Sequence, residues 1–468
     1  MFIFPLIYLT SFIVALREVL KGNRAGLLIF MIFGLSIYTT AMSVTFILGL
    51  KVFIPYMQGF KEALVFTVLF LNIASLKHRP RFHLIDYLIF AYLLCLIAYA
   101  ILPIGEQSFV NRLMSLKSLS FYIVVYFTAR FFDSKTIYIN KYFSYVILLT
   151  IAAGAVLLVE VAAQSPLQFH SGYFDYSYYF FNLDSTGDYG LQTTFTSDSG
   201  YIRFGSFFTN PLEHATATLL ALAVIAGLYT RDDNKLNING IGLLALGATF
   251  LSILFAISRA PLASYFIMIY VYALVTKRKM IVNAIQTVLG LSAVYIAYLF
   301  YQFENNHSGI IAVILNTIDF SDPSSVGHLL AWVEGIASII QYPFGLGLGS
   351  SGRVGNTLNQ NIGGENQFII IGVQAGIIAM FLYILVYVMF IKTSLKWLPL
   401  LKGKERKVCM TVFLIKVGFL ISTLTSEMES STYLSYMNWF LSGLLINMIM
   451  QVKTAPAPKP ELAEAHVY

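Results

Sequence analysis

Charged side chains are scarce in this sequence, and a few of them have the chemistry of a phosphate-binding site. Of 468 residues only 11% are charged, whereas 58% are hydrophobic. Arg203 begins the stretch RFGSFFTNP, and Arg259 stands in ISRAPLA between two apolar runs. A guanidinium keeps its charge and binds phosphate oxygens through two parallel hydrogen bonds. We therefore predict a phosphate-binding role for both arginines, with anchoring at the membrane surface as the alternative.

A glycine-rich segment carries a third arginine. GLGLGSSGRVGN, at positions 345–356, contains Arg353 and follows a break at Tyr342-Pro343. It lacks the Lys-Ser/Thr ending of a P-loop and does not follow a strand, which argues against nucleotide binding. We interpret it as a flexible loop that presents Arg353. Irregular backbone beside a membrane helix needs protein or a watery cavity to satisfy it, which is typical of an active-site loop.

Two residues of the same region are candidates for a general base. Glu365 stands at the start of a long apolar run, and His328 precedes LLAWVEGIASII, whose spacing indicates a helix lying on the membrane. A carboxylate or an imidazole can take the proton from an attacking hydroxyl. The alternatives are a structural histidine and a glutamate that only complements the dipole at a helix N-terminus.

Membrane helices must position these residues. Repeated apolar runs near 20 residues predict an all-α polytopic membrane protein with about 12 or 13 transmembrane helices. Cys95 and Cys409 suggest neither a disulfide framework nor a metal site, and no cofactor is expected. The candidate runs are 2–16, 25–50, 62–76, 84–104, 118–129, 142–163, 211–229, 238–256, 261–276, 281–301, 367–391, 409–424 and 432–450.

The basic residues predict the orientation of the chain. Most of the 30 Lys and Arg residues fall in alternate short connections, which the positive-inside rule places in the cytoplasm. The net charge of +7 is then an orientation signal and does not indicate nucleic-acid binding. The two long connections, at about 164–210 and 302–366, face outward, so we expect the chemistry there. Residues 1–450 are expected to form a single transmembrane domain, and 451–468 a disordered cytoplasmic tail.

Other groups are unusual for a membrane protein. The first outer connection is dense in aromatic residues from Tyr173 to Phe181. Such residues either favour the membrane interface or form a platform on which sugar rings stack.

Lys416 lies deep in an apolar run and needs a partner or a cavity, which the sequence does not identify. Glu427 and Glu429 complete the set of unusual charges.

The order of these motifs resembles the O-antigen polymerase and ligase superfamily of membrane glycosyltransferases. The stretches with the two arginines come first, followed by a W-x(n)-P-x-G-x-G pattern and then by ENQFIIIGVQAGIIAMFLYI. The motifs cover mainly residues 200–390, whereas the hydropathy profile is similar throughout. The residues that carry the resemblance are Arg203, Arg259, Trp332, Pro343, Gly345, Gly347, Gly349 and Glu365.

The resemblance implies a C-type glycosyltransferase-like helical fold without a metal or nucleotide, in the bacterial inner (cytoplasmic) membrane. It implies polyprenyl-pyrophosphate-linked oligosaccharides as substrates, with Arg203 and Arg259 as pyrophosphate ligands. Arg353 joins this set through an Arg-x10-Gly spacing found in some polymerases. Glu365 and His328 remain the candidate catalytic residues. Further expected partners are membrane lipids, a chain-length regulator and a flippase.

Three functions stay open at this point. The first is a polymerase of O-antigen, exopolysaccharide or capsule, which transfers a growing glycan to a lipid-linked repeat unit at the outer face. The alternative is a glycan ligase, but similar ligases carry His at the position of Glu365, and Gly327-His328 matches some polymerases. The second alternative is a flippase or transporter of lipid-linked oligosaccharides, a class that usually shows inverted repeats.

Overall fold

The computed structural model is helical, and we describe it over residues 1–76, 79–186, 190–197, 200–303, 323–358 and 360–454. Within these ranges, extended residues pair only in two isolated bridges, Thr196 with Ile202 and Thr230 with Leu236. The prediction of an all-α chain is therefore confirmed. The predicted tail lies mostly outside the described residues, and its first four positions belong to the last helix, which continues to Thr454.

The helices follow one another with short connections, apart from the two outer segments. The first half contains α1 (Ile3–Leu20), α2 (Arg24–Ile47), α3 (Ile54–Ala74), α4 (Leu84–Ile101), α5 (Phe109–Arg130), α6 (Ile139–Ala163), α7 (Tyr173–Phe181) and α8 (Pro211–Tyr229). The second half contains α9 (Gly240–Phe255), α10 (Arg259–Val275), α11 (Lys279–Phe303), α12 (Pro323–Gln341), α13 (Gly352–Thr357), α14 (Gln367–Trp397), α15 (Gly403–Thr425) and α16 (Thr432–Thr454).

Eight of the described helices are long and apolar enough to cross a membrane. They are α1, α2, α3, α4, α6, α8, α14 and α15, and shorter apolar helices occur in α9, α10, α11 and α12. Many apolar side chains on α1, α3 and α4 are exposed, as expected of helices whose outer faces contact lipid. The chain is thus a multi-pass membrane protein.

Helices α8 and α15 form the centre of the bundle. Most residues of both are buried, and α15 packs against α8, α10 and α14. Small residues permit the close approach: a Cβ added at Gly227 of α8 would lie 2.1 Å from Thr411 Oγ1 of α15. Close packing of this kind replaces the hydrophobic effect as the force that holds helices together in lipid. The last helix, α16, packs mainly along α5.

Contacts between connections occur within each of the two groups that the basic residues predict. In the predicted cytoplasmic group, Arg130 Nε lies 3.1 Å from Asp86 Oδ2, with both side chains buried, and Lys404 Nζ donates to Ser134 O at 2.8 Å. In the predicted outer group, Ser431 Oγ donates to Glu213 Oε1 at 2.5 Å. Several distant outer segments therefore meet at one end of the bundle, where the candidate site lies.

Candidate active site

The glycine-rich loop inserts into a break in α14. Gly376 has φ +79° and interrupts the helix, so α14 consists of two helical pieces. The break exposes carbonyl groups that a continuous helix would satisfy, and the loop supplies their donors. Leu346 N donates to Val373 O at 2.7 Å, and Gly347 N donates to Gln374 O at 3.1 Å. Irregular backbone within a long apolar helix is tolerated where protein satisfies its polar groups.

The side chain of Gln374 fixes the loop from within the same break. Its Oε1 accepts from Gly349 N at 2.8 Å, its Nε2 donates to Ser351 O at 2.9 Å, and the side chain is buried. Glycine is required at Gly347, where φ is +97° and an added Cβ would lie 2.2 Å from Ile104 O. The loop is therefore held on both sides, and its conformation places the following residues.

Arg353 is the residue that the loop delivers, and it joins the two long outer segments. Its backbone N donates to Glu427 Oε2 at 2.5 Å. Its guanidinium carbon lies 5.1 Å from the centre of the Phe181 ring, at the end of α7. A guanidinium on an aromatic face is held by the ring quadrupole and keeps its hydrogen-bonding edge free for other groups. Phe181 belongs to the first outer segment, so the site is assembled from both.

Glu427 has the electrostatics of a general base near neutral pH. Burial raises the pKa of Glu427 from its ordinary value of 4.5 to about 7. The hydrogen bond from Arg353 N and the charge of Arg353 oppose this rise, whereas the carboxylates of Glu365 and Glu429 add to it. A base is most effective when its pKa lies near the working pH.

The structure brings the two sequence-predicted bases together. His328 Nδ1 lies 3.9 Å from Glu365 Oε2, and the Glu365 side chain is 61% exposed. Their segments approach closely at two glycines, since neither carries a side chain. A Cβ added at Gly335 would lie 2.8 Å from Gly363 Cα. Asn366, not Glu365, caps α14, since its Oδ1 accepts from the N–H groups at 368 and 369 at 3.0 and 3.2 Å. Glu365 is thus not needed as the helix cap.

A cavity of about 230 Å³ opens beside Arg353. Lys61, Glu62 and Lys117 form a charged cluster in its wall, in which Glu62 Oε1 lies 3.3 Å from Lys61 Nζ and 2.8 Å from Lys117 Nζ. Hydroxyl groups and aromatic rings complete a lining suited to a polar, ring-shaped ligand. The lining residues are Lys61, Glu62, Met114, Lys117, Ser118, Phe121, Tyr122, Arg353, Glu429, Ser430, Thr432, Ser435 and Tyr436.

Arg203 and Arg259 lie on neighbouring segments, away from the walls of this cavity. Phe204 N donates to Phe255 O at 3.2 Å, which places the segment after Arg203 beside the end of α9. Arg259 begins α10 only a few residues later and is exposed. The structure therefore groups these two predicted phosphate ligands with each other. Among the described residues, Arg353 is the predicted ligand that lines the cavity.

The aromatic residues of the first predicted outer segment are partly buried and partly exposed. Tyr173 and Tyr176 are buried, whereas Tyr178 and Tyr179 are exposed by 59% and 61%. The buried rings pack within the protein, and Tyr176 contacts the Phe181 ring that supports Arg353 at 5.7 Å between centroids. Part of the segment is thus a structural support, and the exposed part remains available for the membrane interface or a glycan.

Sequence reasoning did not assign roles to Glu427, Lys61 or Lys117. A signal was present at Glu427, because acidic residues are rare in the chain and TSEMESS places two of them in a short outer connection. Lys61 and Lys117 lie within or beside apolar runs on the outer side, where basic residues are scarce. Over the described ranges, no group of three or more His, Cys, Asp and Glu residues has the arrangement of a metal site.

No protein-family model matches this chain, and no curated protein matches it. The functional argument therefore depends on the residues of the site.

Proposed function

We propose that the chain is a polysaccharide polymerase of the bacterial inner membrane. It transfers a growing glycan from a polyprenyl pyrophosphate to a sugar hydroxyl of a lipid-linked repeat unit at the outer face. The observation that carries this proposal is the hydrogen bond from the backbone N–H of Arg353, whose side chain lines the cavity, to the carboxylate of Glu427. A fixed cation and a carboxylate with a pKa near 7 supply the two groups that such a transfer needs.

The proposed reaction is a displacement at the anomeric carbon of the glycan donor. The acceptor hydroxyl oxygen forms a bond to this carbon, and the bond between the carbon and the pyrophosphate oxygen breaks. The hydroxyl proton passes to the base, and the bonding electrons leave with the lipid pyrophosphate. Glu427 suits the role of base, with the His328–Glu365 pair as the alternative. No metal or cofactor enters this proposal.

The arginines act on the leaving group in this mechanism. A pyrophosphate gains negative charge as its bond to the sugar breaks, and a guanidinium stabilises that charge through two parallel hydrogen bonds. Arg353 is held by the ring of Phe181 beside the cavity. Arg203 and Arg259 lie on two neighbouring segments away from the cavity walls. They suit the pyrophosphate of a second lipid-linked substrate or the lipid-proximal part of the donor. Two lipid-borne substrates would then be aligned at one end of the bundle.

The fold is compatible with a C-type glycosyltransferase-like arrangement of about 12 or 13 spans. Eight helices meet the criteria for a span, and the shorter apolar helices α9, α10 and α11 together with α5 and α16 would complete the set. Helix α12 has an exposed apolar stripe, which suits a helix at the membrane surface. The substrates would then reach the cavity from the outer leaflet.

A deletion strain tests the function and separates it from the ligase alternative. Loss of a polymerase leaves single repeat units on the cell surface, whereas loss of a ligase leaves long chains that are not attached. We expect single repeat units on a gel of surface glycan, and restoration of long chains by the native gene. Free long chains in the deletion strain would instead support the ligase.

Two observations favour transport as a second candidate. Helix α14 is broken at Gly376, and Lys416 is buried within α15. Transporters use broken helices and intramembrane charges to bind ions and substrates. In this chain, however, the carbonyls of Val373 and Gln374 already accept from the glycine-rich loop. Because the break is filled by protein, we favour the polymerase.

A further inference from the structure

Lys416 is a lysine in the interior of a membrane helix. It lies in α15, and only 1% of its side chain is exposed. Among the described residues, its Nζ atom has no hydrogen-bond partner. An ammonium group placed in apolar surroundings without compensation is costly, so a membrane protein retains one only where other groups stabilise it or where it has a role.

Three aromatic rings surround the Lys416 ammonium. Its Nζ lies 4.8 Å from the ring centre of Phe390, 4.8 Å from that of Trp439 and 5.3 Å from that of Tyr387. The faces of aromatic rings carry partial negative charge, and Trp gives the strongest attraction to a cation. The surroundings of Lys416 therefore have the chemistry that stabilises a buried cation.

Trp439 connects this cation to a carboxylate. Its Nε1–H donates to Glu429 Oε1 at 2.8 Å, while its ring faces the ammonium of Lys416. Tyr383 O–H donates to the same Oε1 at 2.6 Å, and Ser435 O–H donates to Oε2. Donors therefore converge on both oxygens of Glu429 and fix the orientation of its carboxylate.

We infer that Lys416 and Glu429 form a charge pair bridged by the indole of Trp439, and that Lys416 is a positioning residue for the outer cavity. Glu429 lines that cavity, beside Arg353 and the hydroxyls of Ser430 and Ser435. The buried cation and these donors hold the Glu429 carboxylate in place as an acceptor for hydroxyl groups of a bound sugar. The sugar rests on the proposed function, whereas the charge pair does not.

A double-mutant cycle on the full-length purified protein tests the pair without any assay of activity. Lys416→Met removes the counter-charge of Glu429, and Glu429→Gln leaves the buried Lys416 ammonium uncompensated, so each should lower the melting midpoint by about 5 °C or more. The melting midpoint of the double variant should fall by clearly less than the sum of the two single falls. Lys416→Arg, which keeps the charge, should retain more stability than Lys416→Met. Lys407→Met removes a partly exposed lysine from the same helix and is the matched control.

The fluorescence of Trp439 gives a second measurement, which reports directly on the contact between its ring and the Lys416 ammonium. The chain contains three tryptophans, so Trp332→Phe with Trp397→Phe leaves Trp439 as the single emitter. We expect its emission maximum to shift in Lys416→Met and to stay in place in Lys407→Met. Recovery of stability in the double variant, even if Lys416→Met alone does not fold, supports the pair. Additive losses, or a Lys416→Met protein with native stability and emission, would overturn it.

Failure of this inference and failure of the proposed function have different signatures. If the pair exists but the chain is not a polymerase, the cycle shows coupling while no variant changes any glycan product. If the chain is a polymerase without the pair, long glycan is made and the cycle shows no coupling. With both correct, Lys416→Met lowers the yield of long glycan and Lys416→Arg restores part of it.

Discussion

The backbone N–H of Arg353 donates to Oε2 of Glu427 at 2.5 Å, although the two residues are 74 positions apart in sequence. This bond joins the glycine-rich loop to the short connection between α15 and α16. It holds Glu427, the carboxylate of raised pKa, against the backbone of Arg353, whose side chain lines the cavity. The predictions below follow from this relationship and from the contacts that support it.

The first prediction concerns the base. Glu427→Gln keeps the size of the side chain but cannot take a proton, so polymer formation should fall on the order of 100-fold or more at normal protein levels. Glu334→Gln, on the exposed face of α12, is the matched control and should remain active. Yield of long glycan per purified protein is the measurement.

The same measurement on Glu365→Gln and His328→Ala assigns the role among the three candidates. Native activity in Glu427→Gln together with loss in both of the other variants would transfer the role to the His328–Glu365 pair. Native activity in all three would contradict general-base catalysis by these residues.

The second prediction is a pH profile. Burial raises the pKa of Glu427 from 4.5 to about 7, and only the carboxylate can act as a base. Turnover should therefore rise with pH through about 7 and level off above it. A profile that is flat between pH 5 and 9 would exclude Glu427 as the base.

The raised pKa also has a consequence for stability. Between about pH 4.5 and 7 the folded protein binds more protons at Glu427 than the unfolded chain, so this residue makes stability fall as pH rises through that window. Glu427→Gln should remove this contribution, which thermal melting at pH 5 and pH 8 would reveal. An unchanged pH dependence in the variant would contradict the raised pKa.

The third prediction concerns the planar shape of Arg353. Arg353→Lys keeps the charge but loses the fork that binds two phosphate oxygens and the stacking on Phe181, so activity should fall on the order of 10-fold. Arg231→Lys, at an exposed position far from the site in sequence, is the matched control. The same exchange at Arg203 and Arg259 tests whether those arginines also bind phosphate. Normal long glycan from Arg353→Lys would show that the residue supplies charge alone.

The fourth prediction concerns the break in α14. Gly376→Ala places a Cβ 2.8 Å from Pro343 O at a residue with φ +79°, so the loop must shift or the fold must lose stability. We expect a lower melting midpoint and reduced activity. Gly247→Ala on α9 meets no atom within 4 Å and should be neutral or slightly stabilising. Equal behaviour of the two variants would contradict the described packing of the loop.

Hydropathy was sufficient to locate most of the helices. The run predicted at 211–229 coincides with α8, because Asn210 caps the helix and Pro211 occupies its first turn. The run predicted at 118–129 is shorter than α5, which begins at Phe109. Its polar first turns are stabilised because Ser108 caps the helix and Arg112 donates to Leu102 O, contacts that a hydropathy profile does not contain.

The site was only partly predictable, because its geometry depends on contacts between distant segments. Arg353, Glu365 and His328 were found from their rarity and their motifs. The break at Gly376 was not predicted, since glycine is common in membrane helices and the sequence does not show which glycine adopts a positive φ. Gln374 in the same apolar run was the available signal, because a buried amide needs partners. Glu427 acquires its raised pKa only in the folded chain, through burial and the nearby carboxylates of Glu365 and Glu429, against the opposing effect of Arg353.

The most direct test of the central claim is reconstitution of the purified protein with one lipid-linked repeat unit in vesicles. We predict a ladder of long glycans on lipid pyrophosphate, formed without added metal or nucleotide, almost lost in Glu427→Gln and clearly reduced in Arg353→Lys. Movement of intact repeat units across the membrane without any lengthening would contradict the polymerase and support a transporter. Transfer of preformed long glycan to a different acceptor, without lengthening, would contradict it in favour of a ligase.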